Sequence, residues 1–225
     1  MTTAVVAKNR TASILRVNEI FHSIQGESRH AGRPCVFVRL TGCNLRCSWC
    51  DTPYAFEEGE DRPVADLLRR IGACGTRYVL VTGGEPLAQE GVHDLLGELL
   101  DGGYEVAVET GGSLDLAPLD RRVMIVMDLK CPGSGMSARN RWENLDLLKP
   151  SDEVKFVLAD RVDYDWARET IARHRLTERC GLLLSPAHGV LEPRALAGWI
   201  LADRLPVRLQ LQIHKYIWPP DMRGV

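Results

Sequence analysis

The sequence predicts an α/β fold, in the form of an abbreviated, partly open parallel (β/α) barrel. Apolar runs alternate with amphipathic stretches from about residue 35 onward, the order expected when each strand is followed by a helix. Several of these runs are nearly continuous, as in strands that a parallel sheet buries on both faces. At 225 residues the chain is shorter than the ~250 residues of a complete eight-fold barrel, which favours an open one.

Strands are predicted where apolar and β-branched runs stand between turn residues. They cover residues 36–40, 78–82, 104–109, 123–128, 154–158, 181–185 and 207–213. Amphipathic helices are predicted over residues 64–71, 89–100, 164–173 and 194–203. In the second helix, Val92, Leu95 and Leu99 recur at the i, i+3, i+7 spacing of one helix face.

One domain spanning residues 1–225 is expected, with residues 1–16 as a flexible or edge N-terminal extension. The net charge of -2 argues against a nucleic-acid partner, which would require a strongly basic face. No apolar stretch approaches the ~20 residues of a membrane span. The N-terminus lacks the continuous apolar region of a signal peptide. The sequence therefore predicts a cytoplasmic protein without a membrane partner.

Polar and glycine-rich motifs directly follow several predicted strands. Because the carboxyl ends of parallel strands form the active face of such folds, these motifs are expected to meet at one site. A purely structural sheet gives no reason to collect them at one end. The motifs occupy residues 41–43 (TGC), 82–86 (TGGEP), 109–112 (ETGG), 128–132 (DLKCP) and 185–188 (SPAH).

Cys43, Cys47 and Cys50 lie within eight residues, just past the first predicted strand. In a reducing compartment this clustering favours metal binding over disulfides. Three thiolates are one fewer than the usual four around an iron–sulfur cluster or a structural zinc, so one metal position stays open for a ligand. The remaining cysteines are interpreted as small buried apolar residues: Cys35, Cys74, Cys131 and Cys180.

Two other metal sites could use the same cysteines. A zinc site could be completed by a histidine such as His30, but zinc motifs usually contain a second ligand couplet, and the sequence lacks one. A ferredoxin would need a fourth cysteine at family-like spacing, and none follows nearby. Both alternatives are weaker than a three-cysteine cluster.

The glycines of the TGGEP motif, Gly83 and Gly84, would let a ligand approach the backbone closely at a strand end. Their alternative role is a turn before a helix that starts near Pro86. Upstream, Gln25 and Glu27 place an amide and a carboxylate two residues apart. A carboxylate accepts well from the ring N–H and exocyclic amine of a guanine-like or pterin-like edge. Read alone, this segment is a polar hairpin.

The Cys-x3-Cys-x2-Cys spacing resembles that of the radical S-adenosylmethionine (SAM) superfamily. The resemblance implies a [4Fe-4S] cluster held by Cys43, Cys47 and Cys50, with the fourth iron chelated by SAM. Trp49 stands where such enzymes often carry an aromatic residue. The TGGEP string matches the motif that binds the amino group of SAM in these enzymes.

A narrower resemblance, to the 7-carboxy-7-deazaguanine synthase family, covers the chain from about residue 17 to the C-terminus. It is carried by several motifs that occur in one order, among which the Gln-Gly-Glu and His-Lys segments are the most specific. These motifs are residues 24–27 (IQGE), 38–40 (VRL), 43–52, 82–86, 128–132, 185–189 (SPAHG) and 214–218 (HKYIW). Ser28 departs from the pattern, because glycine is common at that position.

The resemblance implies a ring-contracting lyase of queuosine and deazapurine biosynthesis. Such an enzyme converts 6-carboxy-5,6,7,8-tetrahydropterin to 7-carboxy-7-deazaguanine with loss of ammonia. SAM supplies a 5′-deoxyadenosyl radical and is regenerated, Mg²⁺ assists the ring contraction, and an electron donor such as flavodoxin or ferredoxin reduces the cluster. A homodimer is implied in the same way.

The resemblance also implies roles for individual residues. Substrate contacts are expected from Ile24, Gln25, Gly26, Glu27, Arg39, Thr82 and His214. SAM contacts are expected from Gly83, Gly84, Glu85, Glu109, Lys130, Pro132, Ser134, Ser185, Pro186, Ala187 and His188. Thr52 is the expected Mg²⁺ ligand.

Some of these residues have simpler explanations. Arg39 has the fork geometry for the substrate carboxylate, but it could also form a salt bridge at a strand end. His214 could be a satisfied strand histidine, and Glu109 and Lys130 could be ordinary strand-end charges. Two other functions remain open as alternatives: a glycyl-radical activase that acts on a protein partner, and a non-catalytic zinc-binding module.

Overall fold

Nine strands form one sheet in the computed structural model, which describes residues 10–225. In chain order they are β1 (Ile14–Ile24), β2 (Pro34–Leu40), β3 (Glu60–Pro63), β4 (Tyr78–Gly83), β5 (Glu105–Thr110), β6 (Met124–Asp128), β7 (Glu153–Leu158), β8 (Gly181–Pro186) and β9 (Arg208–Leu209). The spatial order is β3-β1-β2-β4-β5-β6-β7-β8-β9, and β3 and β9 are its two ends. The predicted open α/β barrel is therefore confirmed.

The run from β2 through β9 is parallel, whereas β1 pairs antiparallel with β2 and with β3. Helices cover the outer face of the parallel part, as the strand–helix alternation predicts. They are α1 (Val64–Ala73), α2 (Val92–Asp101), α3 (Arg161–Arg173) and α4 (Pro193–Asp203), and one further turn, α5 (His214–Ile217), follows β9. In residues 10–225, the structure has no helix of the length and apolarity needed to cross a bilayer.

Two apolar clusters fill the two sides of the sheet. The larger one packs the outer strand faces against the helices, through side chains such as Leu67 of α1, Leu95 of α2 and Val81 of β4. The smaller one lies on the inner face and includes Phe37 of β2 and Leu80 of β4. Because this inner cluster is small, space remains above it for a cavity at the carboxyl ends of the strands.

The prediction for the N-terminus needs correction. Residues 1–9 of the predicted extension lie outside the described residues. Residues 14–16, however, begin β1, which lies between β3 and β2 rather than at an edge, and Leu15 is fully buried. The alternation of Leu15, Val17 and Phe21 with polar residues is the signal that identifies this half-buried strand.

The last predicted strand, over residues 207–213, is wrong in extent. Only Arg208 and Leu209 pair with β8, and the chain then turns inward toward α5. Gln210 continues this path, since its backbone N–H donates to the carbonyl of Leu184 at 2.8 Å. The strand β3 was not predicted, because its sequence, Glu-Asp-Arg-Pro, carries no apolar pattern.

Candidate active site

A cavity of about 530 Å³ opens at the carboxyl ends of the parallel strands. Its wall includes residues from the ends of β2, β4, β5, β6 and β8, which shows that the glycine-rich motifs do meet on one face. Arg39 of β2 and Thr82 of β4 are neighbours in register there, as are Asp128 of β6 and Lys155 of β7. The cavity is therefore built by the sheet itself.

Most of the residues expected at the site line this cavity. They are Ile24, Gln25, Glu27, Arg39, Cys43, Cys47, Cys50, Thr52, Thr82, Gly83, Gly84, Glu109, Lys130, Ser185, Ala187, His188 and His214. Five others do not reach its wall: Gly26, Glu85, Pro132, Ser134 and Pro186.

The cysteine loop forms one side of the cavity, and its three thiols are free of disulfides. The N–H of Leu45 donates to Cys43 Sγ at 3.4 Å, and the N–H of Cys50 donates to the Cys47 carbonyl at 3.2 Å. Arg46 ties the loop together, since its Nη1 donates to the carbonyls of Cys43 and Leu45 at 2.7 Å each. The loop is therefore held by its own backbone groups and by the Arg46 guanidinium.

Burial raises the pKa of the Cys43 and Cys47 thiols. Both thiols also lie near the charge of Lys130, which opposes this rise. Among the described residues, no group of three His, Cys, Asp or Glu side chains is arranged to hold a single metal ion. Three half-buried thiols around one cavity are nonetheless a suitable donor set for a multi-iron cluster, whose irons are bound by cysteine thiolates.

Gly84 is needed where the TGGEP turn packs against the cysteine loop. A Cβ at this position would lie 2.2 Å from the Gly42 carbonyl oxygen and 2.8 Å from Cys43 Cβ. Gly83 has a φ of 154°, and a Cβ at this position would lie 2.3 Å from the Leu40 carbonyl oxygen. The glycines thus permit contact between two parts of the chain, in addition to the ligand approach that the sequence suggested.

Glu85 was expected to contact the cofactor, and the structure gives it another position. Its side chain is fully buried, and its oxygens accept hydrogen bonds from Leu87 N (3.0 Å), Thr110 Oγ1 (2.9 Å) and Gly111 N (2.7 Å). Burial raises its pKa, and these donors oppose the rise. Glu85 therefore fastens the TGGEP turn to the end of β5 behind the cavity wall.

Three further expected residues do not line the cavity: Pro132, which is exposed, and Ser134 and Pro186, which are buried. Ser134 is buried and donates from its Oγ to the Cys131 carbonyl at 2.6 Å. The loop around it contacts the cysteine loop, because Ser48 donates from its Oγ to the Gly133 carbonyl at 2.7 Å and from its N–H to the Ser134 carbonyl at 3.1 Å. Ser134 therefore supports the cysteine loop without lining the cavity.

Gln25 and Glu27 project from the turn that follows β1. Gln25 is buried, and its Oε1 accepts from the Glu27 N–H at 3.2 Å. Glu27 accepts from Gln212 Nε2 at 2.9 Å and from Lys155 Nζ at 2.8 Å. Burial works to raise the pKa of Glu27, but the charge and hydrogen bond of Lys155 outweigh it, so the pKa is lowered. The carboxylate is thus ionised at neutral pH.

Gly26 contributes through its missing side chain. A Cβ there would lie 2.0 Å from His214 Nδ1, so only glycine lets the imidazole sit against this turn. The Gly26 carbonyl also accepts from Ile213 N at 3.1 Å. His214 belongs to a helical turn rather than to a strand, and its ring lines the cavity.

Arg39 lies both in a salt bridge at the strand end and on the cavity wall. Its Nε donates to Glu19 Oε1 at 2.7 Å, the strand-end salt bridge, and the same Glu19 oxygen accepts from Tyr54 Oη at 3.2 Å. Arg39 also lines the cavity, and only 15% of its side chain is exposed. The Glu19 pair fixes one edge of the guanidinium, so that the fork points in a defined direction.

Thr52 follows the cysteine loop, and its Oγ1 lies 4.0 Å from Cys50 Sγ on the cavity wall. Asp51 beside it accepts from Gln212 Nε2 and Lys215 Nζ, both at 3.0 Å. Partial loss of hydration in the cavity works to raise the pKa of Asp51, 45% of whose side chain is exposed, but Lys215 and Gln212 outweigh it and lower the pKa to about 2. The Thr52 hydroxyl and the Asp51 carboxylate therefore belong to two residues that both line the cavity.

Several cavity residues were not predicted from the sequence. These residues of the cavity wall are Lys155, Asp51, Gln212 and Lys215. Residues 220–225 also line the wall, where the sequence left the role of the C-terminal residues 219–225 open. Lys155 had a visible signal, a lone lysine within the apolar run Val154, Phe156 and Val157. A charge inside such a run is costly unless it is paired, and so it indicates a special site. The others had no comparable signal.

Comparison with known proteins agrees with this geometry. Residues 37–175 match the model of the radical SAM superfamily. The chain is 48% identical to the 7-carboxy-7-deazaguanine synthase of Chlorobaculum tepidum, over 96% of this chain and 99% of that protein. The chain belongs to the 7-carboxy-7-deazaguanine synthase family.

Other family members match at similar extent. The 7-carboxy-7-deazaguanine synthase of Koribacter versatilis is 43% identical, over 94% of this chain and all of its own length. The crystal structure of QueE from Escherichia coli superposes with a TM-score of 0.73 at 23% identity, covering 88% of this chain and 93% of that one. This structural likeness supports the fold, and the sequence identities establish the family.

Membership in the radical SAM superfamily implies a [4Fe-4S] cluster and SAM as the cofactors. The residues present fit that pair. The three free thiols offer cluster ligands, and the adjacent wall of Gly83, Gly84 and Lys130 leaves backbone atoms and a cation beside them. Asp128 accepts from Lys130 Nζ at 2.7 Å, which offsets the burial of this cation.

Proposed function

We propose that this chain converts 6-carboxy-5,6,7,8-tetrahydropterin to 7-carboxy-7-deazaguanine with release of ammonia. One observation supports the proposal above all: the cysteine loop lines the same cavity as Gln25, Glu27, Arg39 and His214. The reaction is inferred from family membership. The cavity contains hydrogen-bond acceptors and cations of the kind that this substrate needs. When bound, the cluster and SAM supply the radical chemistry.

Glu27 and Gln25 are proposed to bind the amino-pyrimidine edge of the pterin. The ionised Glu27 carboxylate is an acceptor for a ring N–H and an exocyclic amine, and Gln25 adds an amide beside it. Because both side chains are largely buried, a ligand without matching donors would leave them unsatisfied. This requirement favours a small heterocycle over the protein substrate of a glycyl-radical activase.

Arg39 is proposed to bind the substrate carboxylate. Its Nε is occupied by Glu19, and among the described residues its Nη groups show no hydrogen-bond partner, so they can form a charge-assisted pair with an incoming carboxylate. His214 and Thr82 lie on the same wall and are proposed as further substrate contacts. Together these residues orient the substrate between the Glu27 end and the Arg39 end.

Thr52 is proposed to bind Mg²⁺ when the substrate is present. Mg²⁺ prefers oxygen ligands and usually keeps several waters, so one protein hydroxyl together with substrate oxygens would suffice. The neighbouring Asp51 carboxylate is ionised and adds negative charge close to this position. SAM contacts are proposed for other residues that line the cavity: Gly83, Gly84, Glu109, Lys130, Ser185, Ala187 and His188.

The proposal is tested by reconstituting the cluster anaerobically and adding reductant, SAM, Mg²⁺ and the carboxytetrahydropterin. We expect about four iron per chain, and formation of 7-carboxy-7-deazaguanine and ammonia in equal amounts, detected by mass spectrometry and an ammonia assay. SAM cleavage without deazaguanine would contradict the proposed substrate and favour the activase. Stoichiometric zinc without iron would contradict the enzyme altogether.

The remaining proposals rest on family resemblance. The protein is proposed to act in the cytoplasm as a homodimer, with flavodoxin or ferredoxin as the electron donor. Size-exclusion chromatography with light scattering would test the dimer. Replacement of dithionite by a reduced flavodoxin in the same assay would test the donor, and loss of all turnover would argue against it.

A further inference from the structure

Lys155 lies in the middle of β7, and its ammonium group is inside the cavity. Only 5% of the residue is exposed, and its neighbours along the strand, Val154 and Phe156, are fully buried. A buried ammonium is costly unless it is paired and hydrogen-bonded. A lysine in this position therefore requires partners, and they indicate what it does.

Those partners are two carboxylates that come from distant parts of the chain. Lys155 Nζ donates to Glu27 Oε2 at 2.8 Å and also to Glu109 Oε1. Glu27 follows β1 and Glu109 lies in β5, so the ammonium joins three separate elements. The second oxygen of Glu27 accepts from Gln212 Nε2 at 2.9 Å. Both oxygens of Glu27 are thus held by donors from outside its own turn.

Removing the cation would change both carboxylates. Glu27 and Glu109 repel each other, and burial disfavours the charged form of each. Lys155 opposes these two effects, and it lowers the pKa of Glu27 despite its burial. Without it, Glu27 would turn away or take up a proton, and a protonated carboxyl is a poorer acceptor for an N–H donor.

We propose that Lys155 is a positioning residue for the substrate, holding the Glu27 carboxylate in place as the acceptor for the amino-pyrimidine edge of the pterin. This inference rests on the proposed function. Substrate recognition then depends on the Lys155 ammonium, which acts through Glu27. The ammonium also links the substrate wall to Glu109 on the cofactor wall.

The first test compares K155M with K155R under saturating SAM. K155M should raise KM for the carboxytetrahydropterin by at least about tenfold, equivalent to ~1.4 kcal/mol, with a smaller change in kcat. K155R keeps the charge and should recover most of the loss. Where K155M does not fold, K155Q serves for the same comparison. An unchanged KM in a folded variant would overturn the inference.

The matched control is K149M. Lys149 is also an ion-paired lysine, donating to buried Asp152 and to the Val123 carbonyl at 2.7 Å, but it does not line the cavity. K149M should lower the melting temperature and leave KM unchanged. A rise in KM in K149M as large as in K155M would show that lost stability causes the effect, and would overturn the inference.

A double-mutant cycle then tests whether Lys155 acts through Glu27. In the E27Q background, K155M should change KM by less than about twofold, because the carboxylate it positions is already gone. A tenfold effect in both backgrounds would overturn the inference. Wild-type enzyme that makes no deazaguanine would contradict the proposed function, and the inference with it. Active wild-type enzyme with an unaffected K155M would contradict the inference alone.

Discussion

At the scale of single residues, Gly26 shapes the substrate wall by having no side chain. Its hydrogen atoms allow His214 to sit against the turn, where a Cβ would lie 2.0 Å from Nδ1. We expect G26A to push the imidazole out of position and to raise KM for the pterin roughly tenfold, or ~1.4 kcal/mol. Steady-state kinetics with reconstituted enzyme would measure this.

The control for G26A is G198A. Gly198 is an exposed residue within α4, and an added Cβ meets nothing within 4 Å. Alanine should stabilise the helix there by about 1 kcal/mol and leave KM unchanged. Equal kinetic effects of the two substitutions would show that His214 does not depend on Gly26.

His214 also predicts a dependence of stability on pH. Burial lowers the pKa of its imidazole below the usual value, so the unfolded chain binds a proton more readily than the folded one. This contribution to stability is therefore present above pH ~6.5 and is lost as the pH falls below it. The melting temperature of the wild type relative to H214N should accordingly decrease from pH 8 to pH 5.5. A relative increase would contradict the lowered pKa.

At the scale of elements, α3 supports the cysteine loop from behind. Asp160 caps this helix by accepting from Asp163 N at 2.9 Å. Asp163 is buried and accepts from Gly133 N at 2.8 Å and Ala159 N at 3.0 Å. Because Ser48 of the cysteine loop donates to the Gly133 carbonyl, Gly133 links Asp163 to the residue that follows Cys47.

We therefore expect D163A to weaken cluster retention. It would leave two backbone N–H groups without their acceptor, at a cost of about 2 kcal/mol or more. Iron per chain after anaerobic desalting should fall, together with the melting temperature. Asp165 on the same helix is a suitable control, since its ion pairs in the described part of the chain are surface pairs with Arg161 and Arg168. D165A should leave the melting temperature nearly unchanged and keep the cluster, because exposed ion pairs contribute little to stability. Equal iron loss in both variants would contradict the proposed support.

The elements also show which parts of the fold the sequence makes visible. The strands β2 and β4 to β8 are buried by helices on one side and by the cavity floor on the other, so their apolar runs are distinctive. Strand β3 is a charged edge strand that exists only because β1 offers it a partner. Its formation depends on a tertiary contact, which no local pattern records.

At the scale of the whole molecule, the sequence predicts those parts of the candidate site in which a motif directly follows a strand. It does not predict the contacts between residues that are far apart in the chain. The TGGEP and cysteine motifs are local and are recognised directly. Lys155 and Glu27 are 128 residues apart, and Gln212 and Glu27 are 185 apart. Such pairs depend on the register of the sheet and on the course of the last segment, so their roles appear only in the folded chain.

That last segment closes the open side of the barrel. After β9, the chain returns to the region around β1 and the cysteine loop, where Lys215 pairs with Asp51 and Ile213 bonds to Gly26. Residues 220–225 then line the cavity. Arg223 anchors this stretch, because its guanidinium lies 3.7 Å from the centroid of the Tyr54 ring and 2.8 Å from Glu58 Oε2.

Since β3 and β9 do not pair, closure of the cavity depends on contacts of this kind. We expect R223A to loosen residues 220–225, to increase protease cleavage within them, and to raise KM for the pterin severalfold with little change in melting temperature.

R194A on the surface of α4, which does not line the cavity, is the control. R223K would separate charge from stacking: a lysine keeps the ion pair with Glu58 but lacks the planar group that covers Tyr54. Unchanged proteolysis and KM in R223A would show that residues 220–225 keep their place on the cavity wall without this anchor.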